Sequence, residues 1–205
     1  MGMRLKAKSS GDFESAPPGN HPAVLVALID LGTQETSYQN NVEWKPQVYL
    51  VWELVTEKMT GTKDRNHVIG RSFTASLHEK SMLRGFIEKW RGAKLAEDAE
   101  FDLEVLLGKP CLLTVVKTDK GYAKIETATA IPADKTGKPL FAVPTPQNKP
   151  FFAPLDGPDD IPAWVPFLYG EKVQDVIDRC QEAGSTATVP AGAPGKGESS
   201  DDIAF

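Results

Sequence analysis

The order in which hydrophobic periods follow one another is the strongest constraint on what this chain can become. Three strand-like segments come first, one stretch then repeats every 3.6 residues, and two further strand-like segments follow. Pro22 to Leu31 (PAVLVALIDL) predicts a first strand, closed by Gly32. Gln47 to Val55 (QVYLVWELV) predicts a second, with Val48, Leu50, Trp52 and Leu54 on one face and Tyr49, Val51 and Glu53 on the other. Arg71 to Leu77 predicts a third, placing Phe73, Ala75 and Leu77 opposite Ser72, Thr74 and Ser76. Leu83, Phe86, Ile87 and Trp90 then form a helical stripe, with Ser81 as N-cap and Gly92 as stop. Phe101 to Leu107 reads as a second short helix that ends at Gly108, and Pro110 prevents its continuation. Cys111 to Thr118 and Tyr122 to Ala130 are the last two strands, joined by the hairpin signal Asp119-Lys120-Gly121. Residues 32–46 read as a long polar loop whose large apolar groups are Tyr38 and Trp44, and residues 56–70 as a turn-rich basic connection.

Three strands, a helical connection and two strands fit a mainly β protein built on a five-stranded OB barrel, whose helix lies between the third and fourth strands. The charge distribution marks where the barrel stops. Residues 1–130 carry 17 Lys+Arg and 17 Asp+Glu, net 17 − 17 = 0, whereas residues 131–205 carry 6 and 11, net 6 − 11 = −5. The same 75 residues hold 11 of the 16 prolines. The expected organisation is a flexible arm over residues 1–16 and a barrel over 17–131. A Pro-rich appendage with a short helix follows over 132–183, and a flexible linker and acidic tip over 184–205. Within the appendage, residues 161–182 are apolar enough to be ordered, and Val173, Val176, Ile177 and Cys180 have helical spacing. The linker, with its Gly, Pro and small residues, has almost nothing to bury.

Catalytic signals are thin. His21, His67 and His78 are scattered and lie in no zinc-binding pattern. Gly192 to Gly197 imitates a phosphate loop but has Gly197 after Lys196 where Ser or Thr should bind magnesium. Asp102, Glu104, Asp119 and Glu126 read as solvated surface rather than as nuclease metal ligands. Cys111 and Cys180 are isolated, which suggests neither a disulfide framework nor a metal site. The longest apolar run, Ala23 to Ile29, is well short of the roughly 18 residues that would suggest a membrane span. The charged N-terminal region does not read as a secretory signal. The expectation is a non-enzymatic protein with no metal or cofactor, in a reducing cytoplasm and away from membranes.

Binding signals are better placed. An OB groove binds single strands through cations that follow the phosphates and aromatic faces on which bases stack. Tyr38, Trp44 and Lys45 fall in or beside the first loop, Lys58, Lys63 and Arg65 in the second connection, and Arg71 at the start of the third strand. Lys117, Lys120, Tyr122 and Lys124 surround the last hairpin, and Tyr49 is a further aromatic candidate on a strand face. The first loop and the last hairpin flank the usual OB groove. Trp52 and Trp90 sit on apolar faces and read as core.

The tip Asp201-Asp202-Ile203-Ala204-Phe205 after a Gly/Pro linker resembles the acidic ending of bacterial single-stranded-DNA-binding proteins, with alanine where the usual ending has proline. The region of about 17–131, with its strand order and the helix pair before Gly108-Lys109-Pro110, is similar to bacteriophage-encoded OB-fold single-stranded-DNA-binding proteins. The resemblance implies sequence-tolerant binding of single-stranded DNA during phage replication, recombination or repair, in the host cytoplasm. It also implies recruitment of replication or recombination proteins through Asp201, Asp202, Ile203 and Phe205, with self-association during coating. The acidic segment, tethered near the groove, would compete with DNA. Two readings from other classes are a β-barrel adaptor that binds only protein and a small metal-dependent nuclease.

Overall fold

A computed structural model describes residues 14–38, 41–60, 64–157 and 160–182. The chain runs β1 (Gly19–Tyr38), β2 (Asn41–Lys58), β3 (Asn66–Thr74), α1 (Met82–Arg91), a 3₁₀ turn (Leu103–Leu106), β4 (Pro110–Lys117), β5 (Ala123–Thr129), β6 (Phe151–Ala153) and α2 (Val173–Ile177). The strands form one six-stranded sheet in the order β3-β2-β1-β4-β5. The neighbours in that order are antiparallel, and β6 adds to β1 in parallel. The sheet is not closed, because β3 and β5 stand at its two ends. Arg71 nevertheless reaches from β3 to β5, where its Nη1 donates to the carbonyls of Ile125 (2.9 Å) and Glu126 (3.1 Å). A guanidinium thus links the two end strands of the sheet.

β1 and β2 are much longer than their apolar runs. Residues 32–38 and 41–46, within the stretch expected as a loop, are strand residues paired across the outer halves of β1 and β2, with Gln34 opposite Lys45 and Tyr38 opposite Asn41. Polar residues extend the strands because the ladder needs only backbone donors and acceptors, which side-chain periodicity does not report. The connection expected over 56–70 is shorter for the same reason, since β2 continues to Lys58 and β3 begins at Asn66. Register shifts between Leu25 and Ala27 and between Asp30 and Gly32 bend β1. The first also changes its phase: Ala23, Leu25 and Leu28 face the inner core, while Val24, Val26, Ala27 and Ile29 face the other side.

Two cores result. The inner one gathers Leu25, Leu50, Trp52, Phe73 and Leu113 under α1, whose Leu83, Phe86, Ile87 and Trp90 all point inward as the stripe predicts. Trp52 lies 5.5 Å from Phe86 and 5.9 Å from Trp90 between ring centroids, and Trp90 Nε1 donates to Pro110 O at 3.0 Å. Gly92 ends the helix at φ +66°, a left-handed cap that glycine adopts without a Cβ penalty. Phe101–Leu107 yields only the short 3₁₀ turn, which its N-cap Asp102 opens by accepting from Glu104 N.

The second core lies on the opposite sheet face. There Val24, Val26, Ile29, Leu31, Tyr49 and Val51 are covered by the proline-rich part of the chain, through Ala153, Leu168, Val173 and Val176, with Trp164 and Val165 packed alongside. The 161–182 stretch contributes to a layer over the sheet. Its attachment is polar as well as apolar. Glu53, fully buried, accepts from Asn66 Nδ2 (2.6 Å), Gln147 N (2.7 Å), Asn148 N (2.9 Å) and Asn148 Nδ2 (2.8 Å). Among the described residues no helix is long and apolar enough to cross a membrane.

Candidate nucleic-acid interface

β3 has a strand neighbour on one edge only, and along it runs a groove of about 850 Å³. Its walls are β3 itself (Val68–Thr74), the outer β1–β2 hairpin (Gln34–Ser37 with Trp44 and Gln47), the start of β5 (Tyr122–Ile125) and the turn Pro166–Tyr169. Glu14, Ser15 and Ala16 border it as well. This N-terminal stretch is tied down by Ser15 Oγ, which accepts from Ala123 N at 3.1 Å, and by Glu14, which accepts from Thr60 N and lies 3.5 Å from His67 Nε2.

Aromatic exposure is concentrated here. The exposed aromatic side chains among the described residues are Trp44 (45%), Tyr122 (53%), Phe141 (37%), Phe167 (58%) and Tyr169 (42%), and all except Phe141 line this groove. An exposed ring loses apolar contact in water and gains it only from a ligand, so four of them around one groove set the chemistry it accepts: flat, polarisable faces. Three cations stand among them, Arg71, Lys124 and Arg179, against two carboxylates, Glu14 and Glu35. Arg71 is held by the β5 carbonyls and stands 4.9 Å over the Phe73 ring, while Arg179 pairs with Glu171 at 2.8 Å. The lining is therefore stacking surface with a small positive balance.

The residues expected from the sequence divide clearly. Trp44, Arg71, Tyr122 and Lys124 come together in the groove although they lie on four different strands or turns. Lys45, next to Trp44, points to the other side of the hairpin, pairs with Glu43 at 2.8 Å and does not line it. Lys58, Arg65, Lys117 and Lys120 are exposed but lie outside its lining. Lys63, the side chain of Tyr38, and the tip residues Asp201, Asp202, Ile203 and Phe205 lie outside the described residues.

Tyr49 requires a correction. It borders the groove but is 2% exposed, so it offers no face to a base. Its ring lies on Gly70, where an added Cβ would come within 2.2 Å of the phenol, and burial pushes that phenol well above its ordinary range, with Tyr169 adding to the effect. The Pro-rich layer has taken the sheet face on which an uncovered barrel would have exposed Tyr49. Trp52 and Trp90 are buried, as expected.

Sequence reasoning missed Phe167 and Tyr169. It read 161–182 only as an ordered stretch and placed no site residue there, whereas Trp164 and Val165 pack against the sheet and Phe167 turns out. The available signal was the alternation Phe167-Leu168-Tyr169, with Leu168 buried between two outward rings. No group of three or more His, Cys, Asp or Glu among the described residues is arranged to hold a metal ion. A comparison with protein-family models gives no match, and a comparison with curated proteins gives none either.

Proposed function

We propose that this protein binds single-stranded DNA without strong sequence preference, in phage DNA replication, recombination or repair. The observation that carries the reading is the convergence of Trp44, Tyr122, Phe167 and Tyr169 with Arg71, Lys124 and Arg179 in one groove. Stacking on aromatic faces is sequence-tolerant because every base has a π-face, and the cations beside the rings suit a phosphate chain. The strand order β3-β2-β1-β4-β5, with α1 between β3 and β4, supports reading the sheet as an OB-type arrangement whose seam is held by Arg71. The groove then lies between the β1–β2 hairpin and the β4–β5 turn, the position at which OB proteins take single strands. The acidic tip, through Asp201, Asp202, Ile203 and Phe205, recruits partner proteins in this reading. Its support is the sequence resemblance.

The test is titration of a fluorescein-labelled oligo-dT, followed by anisotropy at low and moderate salt. Binding at low salt that weakens in Trp44→Ala and Tyr122→Ala is the expected result. No binding by the wild-type chain at low salt would sink the reading.

A further inference from the structure

Resting on that reading, we propose that the turn Phe167–Gly170 is the second wall of the strand-binding groove, and that Phe167 and Tyr169 are stacking platforms for the bases of a single strand. The turn is built in an unusual way. Leu168 and Glu171 exchange both backbone hydrogen bonds, Leu168 N to Glu171 O at 2.9 Å and Glu171 N to Leu168 O at 3.0 Å. The two residues between them have positive φ, Tyr169 at +55° and Gly170 at +81°. Two successive positive φ values make this a turn that favours Asn-Gly or Gly-Gly, because a bulky side chain is disfavoured there, whereas glycine has no Cβ and the short asparagine side chain tolerates it. Tyr169 is the one non-glycine residue with positive φ among the described residues. A bulky ring kept in a conformation that a smaller residue adopts more readily points to a use for the ring itself.

The surroundings say what that use is. Leu168 anchors the turn in the second core, so Phe167 and Tyr169, two positions apart, both face outward into the groove. The Tyr169 hydroxyl is 2.8 Å from Ser72 Oγ on β3 and donates to Gln47 Oε1 on β2 at 3.2 Å. These contacts fix the ring against the sheet from its polar end and leave 42% of the residue exposed. Phe167 is the most exposed aromatic described, at 58%. A fixed ring and an outward ring on a tethered turn suit flat ligands arriving in sequence, and the groove's cations and hydroxyls suit the chain that links them. The C-terminal layer that removed Tyr49 from the surface thus supplies two aromatic faces in its place.

The experiment uses the full chain and oligo-dT anisotropy, with a thermal melt for each variant. Phe167→Ala is expected to weaken binding roughly 5- to 150-fold. Phe167→Trp should bind as wild type and Phe167→Leu should not, because only the former keeps a stacking face. Tyr169→Asn suits the turn backbone better than tyrosine, so binding should fall without the loss of melting temperature that a purely structural role predicts. If Trp44→Ala and Tyr122→Ala weaken binding while Phe167→Ala, Phe167→Leu and Tyr169→Asn bind as wild type, the groove stands and its second wall does not. If the wild-type chain fails to bind at low salt, the functional reading falls and this inference falls with it.

Discussion

At the scale of single residues, the informative positions are those where burial and chemistry pull against each other. Glu53 occupies an outward position of β2 that, judged from sequence, exposes a carboxylate, yet it is fully buried with four donors on its two oxygens. Replacing it by glutamine turns an NH₂ toward donors that need an acceptor. Glu53→Gln should therefore destabilise the protein by about 3 kcal/mol, the scale of leaving buried polar groups unsatisfied, and urea unfolding measures it. A change below half a kcal/mol would mean that the carboxylate does not hold the 147–148 stretch. Gly70 is constrained for a steric reason. A methyl group there meets the Tyr49 ring at 2.2 Å, and that ring is enclosed by the C-terminal layer. Gly70→Ala should cost about 1–3 kcal/mol, the usual penalty of overpacking. An unchanged urea midpoint would show that Tyr49 moves aside at no cost.

At the scale of elements, the contact between β1 and the segment after α2 sets how the C-terminal layer is pinned. Gly32 sits at the second register shift of β1 with φ +66°, and an added Cβ would lie 2.8 Å from the Cys180 Cβ. Beside it Glu182 Oε2 accepts from Thr33 N at 2.8 Å and Oε1 from the Thr33 hydroxyl, while Gln181 N donates to Thr33 O at 2.9 Å. Burial opposes ionisation of Glu182, but the Thr33 hydroxyl and N–H bonds outweigh it and hold the carboxyl below its ordinary value of 4.5. A depressed folded value means that the attachment contributes fully above the ordinary carboxylate range and weakens as pH falls through the lower folded value. The side-chain carboxyl carbon shift of Glu182 should titrate with a midpoint below 4.5. Thr33→Val, which removes the hydroxyl and keeps the N–H, should raise that midpoint. A wild-type midpoint at or above the ordinary value would refute the arrangement.

At the scale of the whole molecule, the sheet is a shared layer between two cores, and this decides how the chain can be cut and, under the proposed function, how it would meet DNA. Residues 14–131 carry β1 to β5 and α1, but without the following layer Val24, Val26, Ile29, Leu31, Tyr49 and Val51 would face water. At roughly 1.5–3 kcal/mol for each fully buried apolar side chain, that loss is comparable to the whole stability of a domain, about 5–15 kcal/mol. A 14–131 fragment is expected to aggregate or to melt without a cooperative transition, and a soluble fragment with a sharp melt would overturn this. The groove's charge balance governs the second property. Three cations against two carboxylates allow only two or three phosphate contacts, so log K against log salt should have a slope of roughly −2 for single strands. A slope steeper than about −5 would mean that cations outside the groove, such as Lys58, Arg65 or Lys117, carry the binding.

What the sequence determined by itself is the local grammar. The stripe Leu83, Phe86, Ile87 and Trp90, the stop at Gly92 and the turn at Asp119-Lys120-Gly121 each depend on neighbours a few residues away, and each is found where expected. In the structure the apolar run Ala23–Ile29 buries side chains on both faces of its strand, and on β2 Tyr49 and Val51 are covered as well as Leu50 and Trp52. The sequence did not say what covers them. That the polar residues 32–38 and 41–46 extend β1 and β2, that Arg71 reaches β5, that Glu53 gathers Asn66, Gln147 and Asn148, and that Phe167 and Tyr169 join Trp44 and Tyr122 around one groove were all decided by the tertiary structure. Each depends on backbone hydrogen bonds or on packing from another segment, in most cases one tens of positions away, and neither leaves a period in the sequence for local reading to detect.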